Sequence, residues 1–207
     1  MKNVKKIVIM LGILILAKYL DLKMENAPSI KKSDLPEDFC DEAAVLVGEF
    51  IRKTGNLDYE ILMYFDYSSG EILRMEEGDK CNVEVKFNES EFIEKHVASI
   101  HNHPIDVYSP PSGKNFGIVK RDFEDYELIA GCNGLWILEA KINDSKLADE
   151  LRMVASNLFE FTFHFCNKKF FDKEERDDEI DKRYGESLSD YINRKNIKNL
   201  KLIKRSI

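Results

Sequence analysis

Between residues 36 and 53 apolar side chains fall at Phe39, Ala43, Ala44, Val47, Phe50 and Ile51, the recurrence of a single helix face. Acidic residues come early in this stretch, Arg52 and Lys53 come late, and Gly55 follows; charge and stop signal agree on a first helix. Beyond it the period shortens. YEILMYFDY (59–67) and EILRM (71–75) flank Ser68-Ser69-Gly70, and NVEVKF (82–87) alternates strictly, so three strands are expected, the first two joined by a turn. ESEFIEKH (89–96) reads as helix, and VASIHNH (97–103) as a strand that Pro104 ends. The chain is then irregular up to Ser112, which stands at the N-cap of a helix expected through GKNFGIVKRDF (113–123).

Residues 126–130 and 135–140 flank GCNG, whose Asn133-Gly134 pair is a strong hairpin signal, and the sheet is expected to end there. Trp136 on this hairpin is expected in the core. From Asp144 onward the reading is mainly helical, although FEFTFHF (159–165) alternates with period two and suits a strand equally well. Residues 172–181 form a charge run, read as a solvated helix face or linker. Past it, Lys195, Lys198, Lys201 and Lys204 recur every third residue beside Ile197, Leu200 and Ile203. That pattern predicts an exposed basic C-terminal helix, with a membrane or partner contact as the other reading.

The chain start changes the picture of location. Lys2, Lys5 and Lys6 precede the apolar run 7–17, which Lys18 closes. A spanning helix needs about 20 apolar residues, so the run is short. It has the basic flank and length of a signal segment without a clear cleavage site, and it also suits an anchor that snorkels Lys18 or a helix docked on the body. The expected location is the cytoplasm, with membrane association through residues 7–17 left open. The polar stretch 26–35 suits a linker. The division is therefore an apolar segment and linker over 1–32, a domain over 33–143, and a mainly helical extension over 144–207; the fold class is α+β. A formal charge of −7 over 207 residues disfavours a nucleic-acid partner, because phosphate contacts need a positive field. Cys40, Cys81, Cys132 and Cys166 form no Cys-x-x-Cys pair and are read as reduced thiols.

The chemistry sits in SIHNHPIDVYSPPSGKNF (99–116). Residues two apart on a strand point to one side, so His101 and His103 present both imidazoles to one spot while Asn102 faces away. Neutral imidazole suits zinc. His96 has the opposite parity. Ser112-x-x-Asn115 puts a hydroxyl at a helix start and a second oxygen one turn on, an arrangement that is also a plain helix cap.

His101-x-His103-Pro104 followed by Ser112-x-x-Asn115 resembles the signature of the JAMM metalloproteases, the JAB or MPN domain family, over roughly residues 36–141. The order of elements is similar too. The resemblance implies an α/β/α-like mixed sheet flanked by helices, with Zn2+ held by His101, His103 and Asn115 and with Ser112 hydrogen-bonding the oxyanion. The family's glutamate, which takes the proton of the attacking water and passes it to the leaving amine, best matches Glu60. Glu71 is next, and Glu84 lies in a later strand. Asn115 departs from the family, which has aspartate there: an amide oxygen brings no charge, so zinc is expected to bind more weakly, with Asp106 as a substitute acid nearby. The implied activity is a zinc-dependent metallopeptidase or isopeptidase acting on a peptide or protein substrate, a ubiquitin-like modifier among the candidates. The departure favours a second reading, a non-catalytic MPN-type binding or scaffold module.

Overall fold

A computed structural model describes residues 30–80, 82–83, 92–104, 110–131 and 134–205. The apolar run 7–17, residues 84–87 of the strand expected over 82–87, residues 89–91 of the helix expected over 89–96, Asp106, Cys81, Cys132 and Asn133 lie outside the described residues; of the described remainder, residues 82–83 are not strand and residues 93–96 are a turn and irregular chain rather than helix. Among the described residues, no helix is long and apolar enough to cross a membrane.

The first helix, α1 (Asp41–Thr54), starts after Cys40, whose Sγ accepts the Ala43 N–H, and carries Asp41 and Glu42 in its first turn and Arg52 and Lys53 in its last. It begins later than the apolar pattern suggests, because residues 37–39 turn before it. Strands β1 (Ile61–Asp66) and β2 (Glu71–Glu77) form the expected hairpin. Its turn is held by Asp66 Oδ1, which accepts from both the N–H and the hydroxyl of Ser68, and Gly70 supplies the left-handed residue at φ 71°. Strand β3 (Val97–Asn102) lies between β1 and β4 (Glu124–Gly131), and β5 (Gly134–Ala140) returns beside β4.

Two expectations are corrected here. The sheet does not end at Ala140: β6 (Leu200–Arg205) pairs antiparallel with β5, giving one six-stranded mixed sheet in the order β2-β1-β3-β4-β5-β6, in which only β3 and β4 run parallel. The basic tail is thus a strand from residue 200 onward. Leu200 and Leu202 are buried while Lys201 is exposed, a period of two that the lysine spacing obscures, and the open edge of β5 gives these backbone groups their partners. Likewise the helix expected over 113–123 is a single 3₁₀ segment, Asn115–Lys120, and Ser112 lies outside its cap. The ambiguous 159–165 stretch resolves as helix within α2 (Ser145–Lys169), which Asp144 caps, and α3 (Lys173–Lys195) follows.

The sheet separates two layers. On one face Ile61, Met63, Phe65, Ala98, Ile100, Leu128 and Ile137 pack continuously against Ala43, Val47, Phe50 and Ile51 of α1. On the other, Ile129, Trp136, Leu138, Leu200 and Leu202 meet Leu151 and Ala155 of α2 and Tyr184, Leu188 and Ile192 of α3. Gly185 lets α3 approach that closely, since a Cβ there would lie 2.2 Å from the Trp136 ring. A smaller cluster, Leu62, Tyr64, Phe92 and Val97, covers the β1 end of the same face. The gap between the two clusters is polar.

Candidate functional site

Strand parity fills that gap. Glu60 shares the side of Leu62 and Tyr64, Ser99 and His101 share a side of β3, and Glu127 shares the side of Ile129 on β4. Asn102, on the opposite side of β3, fixes the alignment: its Oδ1 accepts the Ile61 N–H at 2.7 Å and its Nδ2 donates to the Tyr59 carbonyl at 2.9 Å. The Glu60 backbone pairs with Asp79 and Gly78, so the residue enters β1 already locked, and its side chain is 8% exposed. His103 lies one residue past β3 but stays in the ladder through its N–H to the Ala130 carbonyl at 2.8 Å. Together these residues line a cavity of about 130 Å³ that includes Glu60, His101, His103, Ser112, Asn115 and Glu127.

The imidazoles converge as the spacing predicts. His101 Nε2 and His103 Nε2 are 3.3 Å apart and both rings are buried. Two donors on a tetrahedral zinc at about 2.0–2.1 Å would be separated by roughly 3.3–3.4 Å, so this pair has the spacing of one tetrahedral edge. Burial holds His101 well below the usual histidine range, with His103 and Arg121 adding to the effect; it is neutral, the form in which imidazole ligates.

Ser112 and Asn115 face each other. Asn115 Oδ1 accepts from the Ser112 N–H at 2.6 Å and from the Ser112 hydroxyl at 2.9 Å. A backbone N–H can only donate, so this fixes the amide orientation. The nitrogen, Nδ2, is left 3.3 Å from His101 Nε2 and donates to Glu127 Oε1 at 2.8 Å. Asn115 thus turns an N–H toward the imidazoles and its oxygen toward Ser112. The Ser112 turn is held from the far helices: Tyr184 OH donates to the Pro111 carbonyl at 2.6 Å, and a Cβ on Gly113 would lie 3.0 Å from the Arg152 carbonyl oxygen on α2.

Burial pushes the Glu60 carboxyl up to about 7; Lys114 opposes the shift and Asp79 adds to it. A carboxyl that titrates near neutrality suits proton transfer in both directions. Glu71, by contrast, lies on β2 in an ion pair with Lys95 at 2.7 Å, away from the cavity. His96 contacts Tyr67 OH at 3.4 Å and does not line the cavity.

Sequence reasoning missed Glu127 and its surroundings. Glu127 is buried, its Oε1 is 3.7 Å from His101 Nδ1, and its Oε2 has no hydrogen-bond partner among the described residues. Burial pushes its carboxyl up to about 8, opposed by Arg121. Glu124, buried on the same strand, takes the Ser99 hydroxyl and the Arg121 guanidinium. The available signal was two acidic residues within EDYELIAG, on a strand parallel to its neighbour and covered on both faces, where apolar side chains are the norm.

Among the described residues, no group of three or more His, Cys, Asp or Glu side chains is arranged to hold a metal ion. The donor set is two imidazoles, an amide and the Glu127 carboxyl; the neutral, converging imidazoles suit zinc. Compared with known proteins, the chain matches no family model, no curated protein and no solved structure.

Proposed function

We propose that this protein is a zinc-dependent metallopeptidase or isopeptidase with a JAMM/MPN-type fold. The supporting observation is that one cavity gathers Glu60, His101, His103 and Ser112, brought there by the start of β1, the end of β3 and the turn before the 3₁₀ segment. His101 and His103 would hold the metal, which when bound supplies Lewis-acid polarisation of a scissile carbonyl. Glu60, titrating near 7, takes the proton of the attacking water and returns it to the leaving amine. Ser112 redirects its hydroxyl from Asn115 to the developing oxyanion. The substrate class is a peptide or protein, with an isopeptide-linked ubiquitin-like modifier among the candidates, and the chain works in the cytoplasm or at a membrane reached through residues 7–17.

The test is zinc content by elemental mass spectrometry on untagged protein, comparing wild type with His101→Ala/His103→Ala. Near-stoichiometric zinc that disappears in the double variant supports the reading, and peptidase assays with Glu60→Gln as control then follow. Full activity in Glu60→Gln removes that residue from the mechanism. One observation favours a second reading, a non-catalytic binding module of the same fold: Asn115 turns an N–H rather than an oxygen toward the imidazole pair. Folded wild type that takes up no zinc and stays folded in chelator supports that second reading.

A further inference from the structure

The outer face of α2 carries a pattern for which the core has no use. Ala148, Leu151, Ala155, Thr162 and Cys166 turn inward, so the opposite side of the helix faces solvent, where polar side chains are the norm. Instead Phe161 is 73% exposed and Phe165, one turn on and in the same row, is 41% exposed. Phe171, just past the end of the helix, is 100% exposed. Single exposed apolar residues are ordinary, but three phenylalanine rings around one helix end form a patch of the kind that marks a contact surface.

The charges beside these rings select the partner. Glu160, His164 and Lys168 follow at four-residue steps, all exposed, in the row adjoining Phe161 and Phe165. Glu160 and Lys168 therefore stand one turn to either side of His164 with opposite sign, and among the described residues no ion pair engages either of them. Such a row is complementary to itself when a second copy of the helix crosses antiparallel over the same centre. A twofold axis brings residue i of one copy against residue j of the other, and j against i. Centred on His164, this packing sets Glu160 of each copy beside Lys168 of the other and encloses Phe161 and Phe165 of both. A partner of one sign, such as an anionic membrane surface, would match only the lysine end of the row and be repelled at the other.

We propose that the outer face of α2 is the interface of a twofold homodimer, in which two α2 helices pack antiparallel through Phe161 and Phe165 with reciprocal Glu160–Lys168 ion pairs. The proposal stands apart from the zinc reading above, because none of these residues lines the cavity.

The experiment is sedimentation velocity on the full chain over a concentration series up to about 100 μM. It compares wild type with Phe161→Ser, Glu160→Lys, Lys168→Glu and Glu160→Lys/Lys168→Glu, and circular dichroism establishes that each is folded. Wild type is expected to dimerise as its concentration rises. Phe161→Ser, which removes a central ring from both copies, should weaken the dimer by more than about 100-fold. Either charge reversal alone sets like charges together at both ends of the interface and should weaken it roughly tenfold. The double exchange should recover wild-type association, and so should an equimolar mixture of the two single reversals, in which each variant supplies the charge the other needs. A wild type that stays monomeric throughout the series overturns the proposal. A dimer that Phe161→Ser and both charge reversals leave intact forms through another surface and overturns it as well. Single reversals that weaken association without recovery in the double exchange or the mixture overturn the antiparallel pairing. If Phe161→Ser does not fold, the charge exchanges decide alone, because Glu160 and Lys168 are exposed.

Discussion

The two faces of the sheet use the same strands to opposite ends. Under α1 the face is a single continuous apolar layer, from Ile61 on β1 to Ile137 on β5. On the α2 and α3 side it is split into two apolar clusters, and the polar gap between them holds buried Glu60, Ser99, His101, Glu124 and Glu127. Burying charge and imidazole costs stability, and the neighbouring apolar face offsets that cost. The unbroken face holds the fold together, and the split face carries the candidate site.

Substitutions can sharpen that contrast, beginning with the largest effect. Phe39 is 1% exposed and meets the rings of Phe65, Tyr67 and Tyr126; Phe39→Ala should cost about 3–5 kcal/mol, read as a lower urea midpoint. On the other face the sign reverses. The Glu60 carboxyl titrates at about 7 in the folded chain against a usual 4.5. A raised carboxyl means that ionisation is harder in the folded state, so wild type loses stability as pH climbs from about 4.5 through 7. Glu60→Gln should therefore gain on wild type across that window and hold a constant lead above it, of at most about 3.5 kcal/mol at about 1.4 kcal/mol per unit. Thermal midpoints of the two metal-free proteins from pH 4 to 8 check this; parallel curves would contradict the burial of that carboxyl.

Tyr184→Phe removes the hydroxyl that anchors the Pro111 carbonyl. The loss should be about 1–2 kcal/mol, and the proposed peptidase activity should fall with it because the Ser112 turn loses its anchor from α3. Smallest is Glu71→Gln on the exposed edge strand: an exposed ion pair with Lys95 contributes less than about 1 kcal/mol, and neither zinc binding nor activity should change. A clear loss of activity in Glu71→Gln would displace Glu60 from its role.

Local periodicity carried much of this organisation. The α1 face, the β1–β2 turn, the β4–β5 hairpin strands and the shared side of His101 and His103 were legible because period and turn chemistry act over a few residues. What was not legible depends on distant partners. Lys198, Lys201 and Lys204 mimic a helix stripe, and only the open edge of β5 makes residues 200–205 a strand. Phe159, Phe161, Phe163 and Phe165 alternate like a strand, yet in α2 Phe161 is 73% exposed and Phe159 stacks on Phe163 one turn on. Ser112 matches a cap, but the 3₁₀ segment starts only at Asn115: the Ser112 hydroxyl accepts the Lys114 N–H at 3.3 Å, while its N–H and hydroxyl donate to the Asn115 side chain. Glu127 went unnoticed because its meaning comes from His101 and Asn115 on other elements.

The position of β6 also matters during synthesis. β5 ends at Ala140 and its outer partner begins only at Leu200. At about 5–20 residues per second, the ribosome leaves that edge without its neighbour for roughly 3–12 s. An unpaired edge is a template for another chain, and the nascent protein carries β5 with Leu135, Ile137 and Leu138 along it. β6 thus moves the open edge from an apolar strand to one that carries Lys201, Lys204 and Arg205, charges that discourage pairing with another copy, and translation of residues 141–200 is the interval in which the β5 edge stands bare.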